Sequence, residues 1–216
     1  MVLPKNILAF MSLCDPNKVL FSSKDIFIFD FDGTIVDSSE IHNQAFEEAL
    51  SGFNLSFDYE DLKGLSTLNA LKRIFNENQA NIDESMLKSL QKKKQDISQK
   101  LYKDHIKLVD GFEKFISKSE NKNCAIASSA SKKSIMIALE KFNLLERFDP
   151  IISIEEVEFS KPAPDIFNKV LEYYAIEPNL AIVFEDSQAG FDAADLANLD
   201  CININTFKWI DLVQFI

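Results

Sequence analysis

Residues 26–34 read IFIFDFDGT, an apolar run that ends in two aspartates separated by one residue. The unbroken β-branched and aromatic character of residues 26–29 predicts a strand covered on both faces, as in the middle of a parallel sheet. Asp30 and Asp32 follow at its C-terminal end. Side chains of a strand repeat with a period of two, so extended backbone sends both carboxylates to one side. Gly33 then lets the chain leave the strand in a conformation other residues avoid. Two carboxylates at one strand tip repel, and burial or a metal ion must offset that repulsion. An ordinary turn is the bland alternative, since Asp and Gly are common turn residues. The rest of the chain weighs against it.

Beyond residue 123 the pattern alternates between strand and helix. Strands are expected at 124–127, 149–154, 180–184 and 201–204. Between them lie a helix capped by Ser131 with Ile135, Leu139 and Phe142 on one face, a helix opened by Pro164 at its first position, and a helix over 188–197. Such alternation implies an α/β, Rossmann-like parallel sheet with helices on both faces. In these sheets ligands bind at the carboxyl ends of the strands.

Between residues 36 and 108 the pattern is helical throughout: Ile41, Ala45, Phe46, Ala49 and Leu50, then Leu68, Leu71, Ile74 and Phe75, then Met86, Leu87 and Leu90. This predicts a helical insert of about 70 residues, a natural size for a small subdomain. The lysines at 92–94 are expected to begin a polar helix running towards Lys107, with their run forming a solvated face. The division expected is therefore a core of residues 1–36 and 108–216 with an inserted 37–107. Residues 1–24 are expected to form a short helix and an extended piece at 19–21 that pack on the core.

Composition excludes several classes of function. The chain has 216 residues, 46% of them hydrophobic and 19 of them phenylalanine, enough to fill a sizeable core. A formal charge of −11 argues against nucleic acid or an anionic membrane surface as partner, and means that local cations must capture any anionic substrate. Cys14, Cys124 and Cys201 are scattered and odd in number, which fits a reducing cytosol, with Cys124 in the core. No stretch reaches the roughly 20 apolar residues of a membrane span. Residues 7–14 faintly resemble a signal-peptide core, yet no small-residue cleavage site follows. A cytoplasmic monomer or weak dimer is expected.

Polar residues gather where the sheet rule places them. Ser128, Ser129 and Ala130 follow one strand and precede a helix, where a hydroxyl and free N–H groups make a natural phosphate cradle. Lys161 stands in SKPAP, its loop stiffened by Pro162 and Pro164; Glu185 and Asp186 follow the strand at 180–184. Oxygen ligands without clustered His or Cys suit a hard ion such as Mg²⁺. Carboxylates, a hydroxyl and a lysine around such an ion read as phosphoryl transfer through an aspartyl-phosphate.

DFDGTIVDS, the Ser129 region, SKPAPDIF and FEDSQAG, in that order, resemble the four motifs of the haloacid dehalogenase-like superfamily, and the match spans nearly all of residues 26–204. The last two resemble the branch that holds β-phosphoglucomutase and sugar-phosphate phosphatases. The resemblance implies that Asp30 is the nucleophile and Asp32 the general acid/base, that Ser129, Ala130 and Lys161 hold the phosphoryl group, and that Asp30, the Asp32 carbonyl and Asp186 hold Mg²⁺, with Glu185 in the same acidic cluster. It also implies that the helical insert is a cap over the site. His42 matches a cap position where mutases and several phosphatases of the branch carry histidine, and the loop with Thr67 matches the substrate-specificity loop. In the mutase an arginine takes the place of Thr67 and grips a second phosphate. A Mg²⁺-dependent phosphatase of a small sugar phosphate is thus expected, with a mutase using Lys94 as substitute cation the alternative and a non-catalytic binding module a remote one.

Overall fold

The computed structural model describes residues 21–216. The short helix, residues 19–20 of the extended piece expected at 19–21, and Cys14 lie outside the described residues; Phe21, the last residue of that piece, is helical and not extended. In chain order the first half comprises β1 (Ile26–Phe29), β2 (Val36–Asp37), α1 (Ser39–Leu50), α2 (Thr67–Glu77), α3 (Glu84–His105), β3 (Lys107–Leu108) and α4 (Phe112–Lys118). The second half comprises β4 (Asn123–Ala127), α5 (Lys132–Lys141), β5 (Ile151–Ile152), α6 (Asp165–Tyr174), β6 (Ala181–Glu185), α7 (Gln188–Leu196), β7 (Asp200–Asn203) and α8 (Trp209–Leu212).

The main sheet is parallel, in the order β5-β4-β1-β6-β7, so β1 pairs on both edges and its tip lies at the centre of the sheet. The period of two along β1 divides the core. Phe27 and Phe29 point into an aromatic face with Phe115, Phe184 and Trp209, while Ile26 and Ile28 point into a second face built from Ala125, Ala127, Ile166, Val170 and Ala193. Large rings fill the first face: Phe29 stacks on Phe184 with centroids 5.0 Å apart, and Phe115 meets Trp209 at 4.5 Å. Each buried aromatic of this kind contributes on the order of 1.5–3 kcal/mol from area alone. Small alanines on the second face let α6 and α7 approach closely. Trp209 Nε1 also donates to the carbonyl of Thr34 at 2.9 Å, which ties the C-terminal helix to the loop after β1. Phe21 is buried in the aromatic face, and Lys24 pairs with Asp200 at 2.6 Å.

The insert leaves and rejoins the core through β2 and β3, which pair antiparallel at Val36–Leu108 and Asp37–Lys107. Its helices enclose an apolar cluster of their own, including Phe46, Leu50, Leu71, Ile74, Phe75, Leu87 and Leu90. Among the described residues no helix is long and apolar enough to cross a membrane.

Three local expectations need correction. The lysines at 92–94 do not begin a helix; they lie midway along α3, which starts at Glu84 because Asp83 caps it, its Oδ1 accepting from the Met86 N–H at 2.8 Å. The strand expected over 149–154 shrinks to two residues. Pro150 has no N–H for the ladder, and Ser153 with Glu156 forms a capping box that starts a 3₁₀ turn at Ile154. Pro164 is the N-cap of α6, and Asp165 is its first helical residue.

Candidate active site

The C-terminal edge of the sheet collects the polar residues. Asp30 leaves the tip of β1 with its N–H held by the Phe184 carbonyl at 2.9 Å. Lys161 is wholly buried and donates to Asp30 Oδ1 at 2.6 Å and to Glu185 Oε1 at 2.8 Å. The second oxygen of Glu185 accepts from the N–H groups of Asp186 and Ser187 and from the Ser187 hydroxyl. Those four donors occupy the lone-pair capacity of one carboxylate. Glu185 is thereby fixed as the counter-charge of Lys161. Asp186 accepts one hydrogen bond from Thr34 Oγ1 at 3.2 Å.

Asp30, Glu185 and Asp186 can offer oxygens that all lie within 4.8 Å of one another. Three carboxylates against one ammonium leave an excess of two negative charges in a buried space. Burial, helped by Glu185 and Asp186, pushes Asp30 well above the usual carboxylate range although Lys161 opposes the rise. Burial and the charge of Glu185 push Asp186 up to about 7. Lys161, flanked by two carboxylates, stays charged despite its burial. An excess of two charges and an all-oxygen donor set fit a hard divalent cation.

Asp32 faces the insert. Tyr102 Oη, from α3, donates to Asp32 Oδ1, and His42 Nε2, from α1, lies 3.0 Å from the same oxygen and 2.9 Å from Tyr102 Oη. Lys94 Nζ sits 2.6 Å from His42 Nδ1. An ammonium can only donate, so Nδ1 accepts and the imidazole proton sits on Nε2, shared between Asp32 and Tyr102. Burial works to raise the Asp32 carboxyl, but His42 and the hydrogen bonds from His42 and Tyr102 prevail and hold it well below the usual range. Burial and the neighbouring Lys94 lower His42, and burial lowers Lys94 to about 8. Lys94 is only 4% exposed, which corrects the solvated-face reading for that residue; Lys92 and Lys93 are exposed as expected.

Between these groups lies a cavity of about 50 Å³, lined by Asp30, Asp32, Ser128, Ser129 and Ala130 from the core and by His42, Tyr59, Thr67 and Lys94 from the insert. Ser129 Oγ is buried with no hydrogen-bond partner among the described residues, while Ser128 Oγ accepts from the Ala130 N–H at 3.1 Å. The insert is shut against the core: Asn69 Nδ2 donates to Ser160 Oγ at 2.8 Å, and a Cβ on Gly64 would meet Ser187 Oγ at 2.2 Å.

Every residue expected at the site is thus brought to it or, for Glu185, directly behind it. Sequence reasoning did not find Thr34, Tyr59 or Tyr102. A signal for Tyr102 existed: Lys94, Ser98 and Tyr102 recur every four residues, one helical face, and all three are buried.

The sequence profile of the haloacid dehalogenase-like hydrolases matches residues 27–204. A fructose-1-phosphate phosphatase of Escherichia coli is 27% identical over 180 residues, covering 82% of this chain and 94% of that protein. A β-phosphoglucomutase of Bacillus subtilis is 24% identical over 189 residues, covering 82% of this chain and 81% of its own. The crystal structure of a β-phosphoglucomutase from Clostridium difficile superposes with a TM-score of 0.75 at 25% identity, covering 86% of this chain and 88% of that one.

Proposed function

The chain belongs to the haloacid dehalogenase-like hydrolase family, and on that premise we propose that it is a cytoplasmic, Mg²⁺-dependent phosphatase of a small sugar phosphate, acting through an aspartyl-phosphate on Asp30. The observation that carries this is the arrangement of the two aspartates. Asp30 is anchored to the rigid core by Lys161, and Asp32 is held from the insert by His42 and Tyr102. This arrangement supports Asp30 as the nucleophile and Asp32 as the group that moves a proton.

In this reading the carboxylates of Asp30 and Asp186 and the carbonyl of Asp32 hold the magnesium, which supplies charge neutralisation between the nucleophile and the phosphate dianion. An Asp30 oxygen attacks phosphorus in line with the leaving oxygen. Lys161, the Ser129 hydroxyl and the Ala130 N–H take up charge on the remaining phosphate oxygens. Asp32, ionised in the shut site, takes a proton from solvent while the cap is open, gives it to the departing sugar oxygen, and regains one from the water that releases phosphate from Asp30. Residues 37–107 act as the cap. A cavity of about 50 Å³ is far below the roughly 300 Å³ at which pockets for drug-sized ligands begin, so the cap opens to admit substrate and release product.

The similarity to the Escherichia coli fructose-1-phosphate phosphatase supports a phosphorylated sugar as substrate. Thr67 has no charge with which to grip a second phosphate, which favours hydrolysis of a monophosphate over mutase chemistry. The test is phosphate release from a panel of sugar phosphates with Mg²⁺, with EDTA, and with Asp30→Asn. Metal-dependent release that the variant loses supports the reading. Isomerised sugar phosphate in place of free phosphate would establish the mutase instead.

A further inference from the structure

We propose that Tyr59 is a specificity-determining residue whose hydroxyl hydrogen-bonds a hydroxyl group of the leaving sugar. Tyr59 opens a 3₁₀ turn, Tyr59–Leu62, between α1 and α2, capped by Asp58 Oδ1 accepting from the Glu60 N–H at 2.9 Å. Its ring is fixed in place. It stacks on His42 with centroids 6.1 Å apart and 25° between planes, and it meets Phe46 at 6.4 Å. Through His42 the ring is tied to Asp32, the residue proposed to protonate the leaving oxygen. The wall at Tyr59 therefore flanks the leaving group and not the phosphoryl group, whose proposed contacts come from the core.

The hydroxyl has no hydrogen-bond partner among the described residues, although Tyr59 lines the cavity that holds Asp30 and Asp32. The neighbouring hydroxyl of Tyr102 is already spent on Asp32 and His42. Burial and the carboxylates of Asp32, Asp186 and Asp30 raise Tyr59 well above the usual tyrosine range, so it stays an O–H donor across neutral pH. A neutral donor fits a sugar hydroxyl. Among the described residues the only cation lining the cavity is Lys94, whose ammonium lies against His42 Nδ1, and the other insert walls there include Phe46, Leu62 and Leu65. Such a wall takes a neutral, hydroxyl-bearing carbon chain more readily than a second phosphate.

This inference rests on the phosphatase reading, and its test separates the two. Wild-type protein and Tyr59→Phe are compared, with Mg²⁺, on the sugar monophosphate that the wild type hydrolyses best and on n-hexyl phosphate, which carries no hydroxyl. The variant keeps the ring that stacks on His42, and its melting temperature is measured to confirm that the fold is unchanged. One hydrogen bond of about 1–1.5 kcal/mol predicts a fall in kcat/KM of roughly 5- to 10-fold on the sugar phosphate, with hexyl phosphate turnover unchanged. An equal fall on both esters, or none on the sugar phosphate, overturns the inference while the phosphatase reading stands. No metal-dependent release from either ester by the wild type overturns the phosphatase reading, and the role of Tyr59 falls with it.

Discussion

Tyr102 Oη donates a hydrogen bond to Asp32 Oδ1 across 70 residues of sequence, joining the far end of α3 to the loop that follows β1. The same hydroxyl lies 2.9 Å from His42 Nε2, so one phenol links α3 to α1 at the site. In the shut form Asp32 is thus positioned from the insert, while Asp30 takes its partner Lys161 from within the core.

Tyr102→Phe removes that hydroxyl and keeps the ring. Hydrogen bonds to charged groups contribute about 1.5–3 kcal/mol, which predicts a fall in kcat of roughly 10- to 100-fold. KM should change little, because the phosphoryl contacts come from the core. Steady-state kinetics on the best sugar phosphate checks this, and a rise in KM with kcat intact would show that Tyr102 serves substrate binding instead.

Lys161 gives a contrast between charge and chemistry. Lys161→Ala leaves Asp30 and Glu185 facing each other without their shared cation in a fully buried space. Breaking a buried pair in this way costs about 3–5 kcal/mol, or roughly 6–20 °C in Tm for a chain of this size. Asp30→Asn removes one of the repelling carboxylates. It should abolish phosphate release yet leave Tm, measured with EDTA, unchanged or higher. Thermal melting of both variants separates these effects.

Gly33 adopts φ +82°, and a Cβ there would lie 2.2 Å from Asp186 Oδ2. Gly33→Ala is strained by its backbone and also displaces a proposed metal ligand. The expected result is at least a tenfold rise in the Mg²⁺ concentration that gives half-maximal activity, in line with the 10- to 100-fold losses of affinity seen when groups orienting a metal ligand are changed. Titration of activity against Mg²⁺ tests it; an unchanged midpoint would mean that Asp186 does not bind the ion.

What the sequence revealed and what it hid divide along a physical line. The tip of β1 could be read because a buried strand leaves a local imprint, four apolar residues followed by Asp30, Phe31 and Asp32. Lys161 and Asp186 were findable because a parallel sheet delivers its strand ends to one edge. Tyr59 and Tyr102 were not, since each reaches the site through packing of the insert on the core, which leaves no local pattern. Lys94 was misread for a related reason. Three consecutive lysines look solvated, but the helical period turns only the third of them towards Ser98, Tyr102 and the site. The strand at Ile151–Ile152 was overextended because apolar periodicity continued past a proline and a capping box that end it.

Stability should depend on pH through Asp186, with a sign opposite to that of an ordinary paired carboxylate. Its folded pKa is pushed up to about 7, above the unfolded value near 4. Between these values the folded state binds more protons than the unfolded one, so stability falls as pH rises through this window. Asp30, also raised by burial, acts in the same direction. A divalent cation relieves the repulsion but must displace those protons, so it binds weakly at pH 5 and well at pH 8. In EDTA, Asp186→Asn should therefore be more stable than wild type at pH 8, by at least about 1 kcal/mol or roughly 2–4 °C in Tm, with the difference shrinking towards pH 5. Added Mg²⁺ should raise the Tm of the wild type far more at pH 8 than at pH 5 and should do little for the variant. Melting curves at both pH values check each expectation, and an equal Mg²⁺ effect on the two proteins would remove Asp186 from the metal site.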